Sequence, residues 1–206
     1  MPRPKSLTQS EIAAAALAVV DRDGLAAMSM RTVAAELGMG TMSLYRYVSD
    51  REQLEGLVVD LVLSGVDLTP PPRAAWPRRI STLAERVRAA LAEHPAMVPL
   101  TLTRRHASTA TLMFGERILE ILTAAGFTGR RRVVALRCLL AYIVGAIQQE
   151  HLGALSGPGT AALAALPPED YPRLTENART ARGMRADEEF RGGLEILLTG
   201  LRASAE

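Results

Sequence analysis

Residues 29–48, SMRTVAAELGMGTMSLYRYV, decide how this chain folds. They read as two short helices joined by a glycine-marked turn, a helix-turn-helix. Ser29 can accept a hydrogen bond from the free N–H groups that open a helix, and Val33, Ala34 and Leu37 then share one face at spacings of three and four. Gly38 ends that helix, because glycine adopts a left-handed backbone without a Cβ clash, and Met39 and Gly40 complete a turn of the length such motifs use. The second helix starts near Thr41. Leu44 and Val48 anchor it to the domain, which leaves Thr41, Met42, Ser43, Tyr45, Arg46 and Tyr47 to form a face of hydroxyls, a guanidinium and phenols suited to base edges and phosphates.

Leu37-Gly38-Met39, then Thr41 to Val48, then Asp50-Arg51-Glu52-Gln53-Leu54 together resemble the tetracycline-repressor (TetR) family, in which this stretch is the recognition helix and the start of the next helix. The likeness by motif extends to Gly65. Asp187 to Leu201 is similar to the final helix of the subgroup nearest the tetracycline repressors themselves. The resemblance implies an all-α repressor that reads a palindromic double-stranded DNA operator as a homodimer and answers to a small molecule. It further implies that Tyr45, Tyr47 and Arg51 bind backbone phosphate, that Arg31 reaches the groove, and that Thr41, Met42, Ser43 and Arg46 face bases. Arg46 suits guanine and Met42 a thymine methyl.

Working outward from the motif, Thr8-Gln9-Ser10-Glu11 reads as a capping box opening a helix with the stripe Ile12, Ala16, Val19 and Val20, which Gly24 ends. Residues 1 to 7, with two prolines and the cations Arg3 and Lys5, read as an arm. Ser49 or Asp50 caps the helix after the motif, whose stripe of Leu54, Leu57, Val58, Leu61 and Val62 needs a further layer to cover it. Pro70-Pro71-Pro72 then marks a link. The expected organisation is a helix-turn-helix domain over 1–49, a connecting helix over 50–65, and a helical effector-binding and dimerisation domain over 66–206.

That body has no strand alternation. Helices are expected over 76–93, over 108–125, from about Arg130 to Leu152, near 173–180 and over 187–204, with a break at Pro95 and Pro99. Residues 153–170 read as a loop with one helical turn at 161–165. Met97, Leu100, Leu102, Met113, Phe114, Arg117, Tyr142 and Gln148 gather around the broken helix as a candidate effector pocket, although apolar residues at such spacing are as readily core. Val133, Leu136, Leu140, Val144 and Ile147, with Phe190, Leu194, Leu197, Leu198 and Leu201, form two stripes that are either core or a dimer interface. The family builds a four-helix bundle from these two helices, which favours the interface.

The 206 residues are enough for a sizeable core, and 48% of them are hydrophobic. The mean hydropathy is +0.10 and the pI about 9.0. Net charge is a poor guide to the partner here, because up to Gly65 six basic residues face eight acidic ones, and the basic excess falls over 66–140. No run reaches the roughly 20 uninterrupted apolar residues of a membrane span and no signal-peptide core opens the chain, so a cytoplasmic protein is expected. The lone Cys138 reads as a buried thiol. His94, His106 and His151 are too scattered for a metal site. No nucleophile elbow, zinc-protease motif, P-loop or dinucleotide fingerprint suggests an enzyme or a cofactor. In the tetracycline repressors a metal-chelated drug is held through a histidine after the helix break and a glutamate late in the long helix. Here Met97 to Leu102 holds no histidine and Gln149 stands in the glutamate's place, so the effector is expected to be apolar or aromatic, bound without magnesium. Two rival readings are a body that binds a partner protein and a helical enzyme that keeps the motif for packing.

Overall fold

The computed structural model describes residues 7–203, so the expected arm, with Arg3 and Lys5, falls outside them apart from Leu7. Eleven α-helices and no strand occur among the described residues. Two compact units form: residues 1–70 with 85–118, and residues 71–84 with 119–206. The first unit therefore reaches beyond the proline link that the sequence suggested as a boundary, because residues 85–118 group with the N-terminal helices.

In the first unit, α1 (Gln9–Asp23) opens with the capping box Thr8 and Glu11, and buries Ile12, Ala16, Val19 and Val20. A single 3-10 turn, Leu25–Ala27, leads to α2 (Met30–Glu36) and then α3 (Thr41–Leu44). Asp50 caps α4 (Arg51–Leu63), accepting from the Gln53 N–H at 2.8 Å. Leu54, Val58 and Val59 of α4 are fully enclosed. The break foreseen at the prolines is a 3-10 turn, Pro95–Met97, followed by α6 (Leu100–Thr103). Between them the helices α5 (Trp76–Ala92) and α7 (Thr109–Ala124) each contribute one end to either unit.

The segment after α6 is pinned to α4 by polar contacts. Asp60 of α4 accepts from the Ser108 hydroxyl at 2.8 Å and from the Ala110 N–H at 2.9 Å, so a carboxylate from a helix distant in sequence helps to cap α7. At Gly56 the two segments meet backbone to backbone, since an added Cβ would lie 2.9 Å from the Ala107 carbonyl oxygen.

In the second unit, α8 (Gly129–Leu152) and α11 (Ala186–Ala203) pack together. Phe127 lies edge-on to Trp76, with ring centroids 5.4 Å apart, and the Arg131 guanidinium covers it at 4.4 Å. The stretch expected as a loop contains α9 (Pro158–Ala164), which packs on α10 (Pro172–Ala181). Pro158 suits the first helical turn, where its missing N–H costs nothing. The buried Thr175 hydroxyl reaches back to the Leu166 carbonyl.

Candidate nucleic-acid interface

The turn between α2 and α3 is built by two local devices. Ser29 accepts from the Thr32 N–H at 3.1 Å while its own N–H donates to the Thr32 hydroxyl at 2.9 Å, a reciprocal cap with threonine where glutamate is usual. At the other end Gly38 has φ +67°, the Met39 N–H bonds the Ala34 carbonyl and the Gly38 N–H bonds the Ala35 carbonyl, a Schellman stop. This fixes where α3 leaves the domain. Leu44 and Val48 are enclosed, as their spacing suggests, as are Val33 and Ala34 of α2, and α2 packs on α3.

The regular helix is shorter than the eight residues of the motif's second element. After Leu44 the bonds tighten to the 3-10 type, from the Arg46 N–H to Ser43 at 3.3 Å and from the Tyr47 N–H to Leu44 at 2.9 Å. This pitch spreads the side chains. Met42 is 78% exposed, Tyr45 and Arg46 are exposed, and Thr41, Ser43 and Tyr47 are half-buried at the rim. Arg31 is exposed on α2. Seven of the eight expected DNA residues thus lie at or near the surface of the motif itself.

Arg51, the eighth, is held from below. Its Nε donates to Glu55 Oε1 at 2.7 Å, one turn on, and a terminal nitrogen reaches the Leu25 carbonyl at 3.5 Å. The Glu55 side chain is only 6% exposed and its second oxygen accepts from Arg104 Nε at 2.5 Å. Arg104 also lies 3.4 Å from Glu52, as does His106. The hydrogen bond to Glu55, then the nearby charges of Glu55, Glu52 and Asp50, raise the Arg104 pKa above its ordinary value. Sequence reading missed this cluster. Its trace was an acid four residues after Arg51, one step off the α4 stripe, and the run Arg104-Arg105-His106 after the prolines.

The expected effector set does not share one environment. Met97, Leu100 and Phe114 are buried, whereas Leu102 and Met113 are about half exposed and Arg117 is intermediate. Met113 lines a cleft of about 570 Å³ with Leu57, Leu61, Val66, Leu68 and Asp60, wholly inside the first unit. In the second unit the Tyr142 hydroxyl donates to the Phe190 carbonyl at 2.8 Å and its ring fills the space a side chain on Gly193 would take, so Tyr142 braces α11. Gln148 is half-buried on α8.

Of the ten residues of the expected dimer stripes, four are buried inside the chain itself. Ile147, Phe190, Leu194 and Leu198 are buried within the chain, where they hold α11 on α8, and Leu136, Leu140, Val144, Leu197 and Leu201 are intermediate. The outward face carries Val133 at 60% exposure, Val134, Cys138 and Ala141 on α8, and Ile196 at 76% and Gly200 on α11, whereas Gly145 is half-buried and Gly193 is covered by Tyr142. Cys138 is exposed, not buried, because it falls off the buried stripe of Ala135, Leu139, Ile143 and Ile147 on α8. By length and composition α8 would also pass for a membrane span, with 22% of its most apolar window buried.

A capped helix, a Schellman turn and a short helix exposing Met42, Tyr45 and Arg46, attached to a helical body, define a helix-turn-helix transcription regulator. The model of the tetR family of bacterial regulatory proteins matches residues 12–54, and that of the tetracyclin repressor-like C-terminal domain matches residues 69–205. The chain belongs to the TetR family. It is a regulator and not an enzyme. An HTH-type transcriptional regulator of Saccharopolyspora erythraea is 32% identical over 205 residues, covering 97% of this chain and 86% of the relative. The HTH-type transcriptional repressor DrrR1 of Streptomyces coeruleorubidus is 32% identical over 153 residues, covering 72% of this chain and 55% of that protein. Among solved structures, the Streptomyces coelicolor TetR family protein ActR in complex with (S)-DNPA is 28% identical with a TM-score of 0.82, over 97% of this chain and 98% of that one. The same ActR has also been solved with actinorhodin.

Proposed function

We propose that this regulator is a cytoplasmic homodimer that represses transcription by binding a palindromic operator and is released by a small apolar or aromatic effector. The observation that carries the DNA reading is the exposed set Met42, Tyr45 and Arg46 on a segment fixed by Leu44 and Val48. One such segment touches too few base pairs for genomic specificity, and two copies related by a two-fold axis read a palindrome. The exposed face of Val134, Cys138, Ala141, Ile196 and Gly200 supplies the contact between copies, since small residues let helices approach closely and Ile196 is otherwise an apolar side chain left in water. Such a face also accounts for the apolar, poorly buried α8 without a membrane.

The effector reading draws on ActR, whose structures hold (S)-DNPA and actinorhodin, and on the cleft beside Met113, whose size falls in the range of small-molecule sites. Release by a hundredfold needs about 2.7 kcal/mol of preference for the DNA-incompetent form, within ordinary allosteric coupling. The DNA arm of the proposal is tested by gel shift. Arg46→Ala should cost about 1–3 kcal/mol and relax preference at one operator position, whereas Arg51→Ala should weaken all sequences alike. If both variants bind with unchanged affinity and salt dependence, this face is not the DNA face. Titrating the operator complex with aromatic compounds, with and without EDTA, tests the effector arm, and release that requires magnesium would refute it.

A further inference from the structure

Glu55 is the most enclosed acidic side chain of the DNA-binding unit, and it is shared. One oxygen holds Arg51, the other holds Arg104, a residue far along the chain at the end of the helix broken by the prolines. Two guanidinium groups on one carboxylate leave the trio with a net charge of +1. Because Arg51 is gripped by Nε and one terminal nitrogen reaches the Leu25 carbonyl only at 3.5 Å, the half-exposed end of its side chain keeps N–H groups that can turn to a phosphate oxygen.

We propose that Glu55 meters the phosphate contact of Arg51, with Arg104 as the counter-charge that decides how far Arg51 is drawn inward. With Arg104 in place, half of the carboxylate is already satisfied and Arg51 can share itself with DNA. With Arg104 withdrawn, an enclosed carboxylate has one partner left. The attraction is poorly screened at that depth, so Arg51 turns both of its parallel N–H groups onto Glu55 and leaves the phosphate. Operator affinity therefore depends on where residues 100–107 sit, although none of them need touch DNA. Arg104 and Glu55 are positioning residues for the contact made by Arg51. The proposal rests on the reading of Arg51 as a phosphate ligand.

The test uses the full chain, a fluorescent operator and a salt series, with circular dichroism to establish folding. Arg104→Met keeps the stem and removes the charge. It should weaken operator binding about tenfold and make the plot of log affinity against log salt shallower by about one charge, the signature of one lost phosphate contact. Arg104→Lys should stay near wild type. In the double variant Glu55→Gln with Arg104→Met, no carboxylate remains to capture Arg51, so affinity and slope should return to within about threefold of Glu55→Gln alone. A folded Arg104→Met protein with wild-type affinity and slope would overturn the proposal. So would a double variant as weak as Arg104→Met, which is what simple damage to the packing of α4 produces. If Arg104→Met does not fold, Glu55→Gln decides by itself: a slope at least as steep as wild type supports the metering role, and a shallower slope refutes it. A wild-type chain that binds no operator would instead remove the repressor reading, and an unchanged slope for Arg51→Ala would remove the contact beneath the proposal.

Discussion

Two helix contacts, one in each compact unit, differ in the balance of polar and apolar groups. In the first, α4 meets the segment 104–110 through Glu55 and Asp60, whose carboxylates are bonded by Arg51, Arg104, Ser108 and the Ala110 N–H. In the second, α8 and α11 meet through Phe190, Leu194, Ile147 and Leu198 and turn further apolar residues outward. Polar contacts of fixed geometry have a few discrete arrangements and can be exchanged one partner for another. Apolar contacts lack that directionality and persist wherever they stay covered. On the proposed reading, a regulator that changes shape while remaining paired has use for both, the first where movement occurs and the second where the copies join.

The contrast would break most visibly at Ile196. Ile196→Glu places an unpaired charge in the proposed seam between copies, so sedimentation should show monomers and operator binding should fall by more than a hundredfold. A variant that still sediments as a dimer would move the seam elsewhere. Asp60→Ala comes next. It leaves the enclosed Ser108 hydroxyl without its acceptor, which should cost about 1–3 kcal/mol in urea unfolding and speed hydrogen exchange at the start of α7, while the dimer stays intact.

Acid should act on the first unit through Asp50. The backbone N–H of Gln53 and then the Ser49 hydroxyl hold its carboxyl below the ordinary value of 3.8. A depressed carboxyl contributes stability that is fully present above 3.8 and is lost as pH falls through the lower folded-state value, because the unfolded chain takes up the proton first. Asp50→Asn, which can still cap, should flatten the unfolding curve in that window, and an unchanged curve would place the acid sensitivity elsewhere. The smallest effect concerns Cys138. On the proposed seam its thiol should react slowly with a disulfide reagent in the dimer and quickly in Ile196→Glu, and equal rates would take Cys138 off the interface.

Much of the fold could be read before any coordinates, because the stops and caps are local. Thr8 with Glu11, Ser29, Gly38 and Asp50 each act within a few residues, and all stand where the pattern places them. The face of the motif was legible for the same reason, since Leu44 and Val48 fix what remains outside. What was not legible depends on partners distant in sequence. Leu194 and Leu198 have the spacing of an interface, and only the packing of α11 on α8 shows that they are spent within the chain. Glu55 gave no periodic signal, as its two arginines lie on either side of it, one of them 49 positions on. The helix at Pro158–Ala164 was foreseen only as one turn at 161–165, because its surroundings are rich in glycine and proline and the α10 it packs on lies outside the stretch.

Gly56 gives this molecule a hard stop. Most neighbouring helices are cushioned by side chains that can change rotamer and absorb a small displacement, but here the α4 backbone rests on the Ala107 carbonyl, with no room for a methyl group. A push on the turn at 107 therefore has no slack to take up before α4 itself must yield. By the same geometry a single methyl at position 56 would act like a wedge left permanently in place. Gly56→Ala would hold α4 and the turn at 107 permanently off their native spacing.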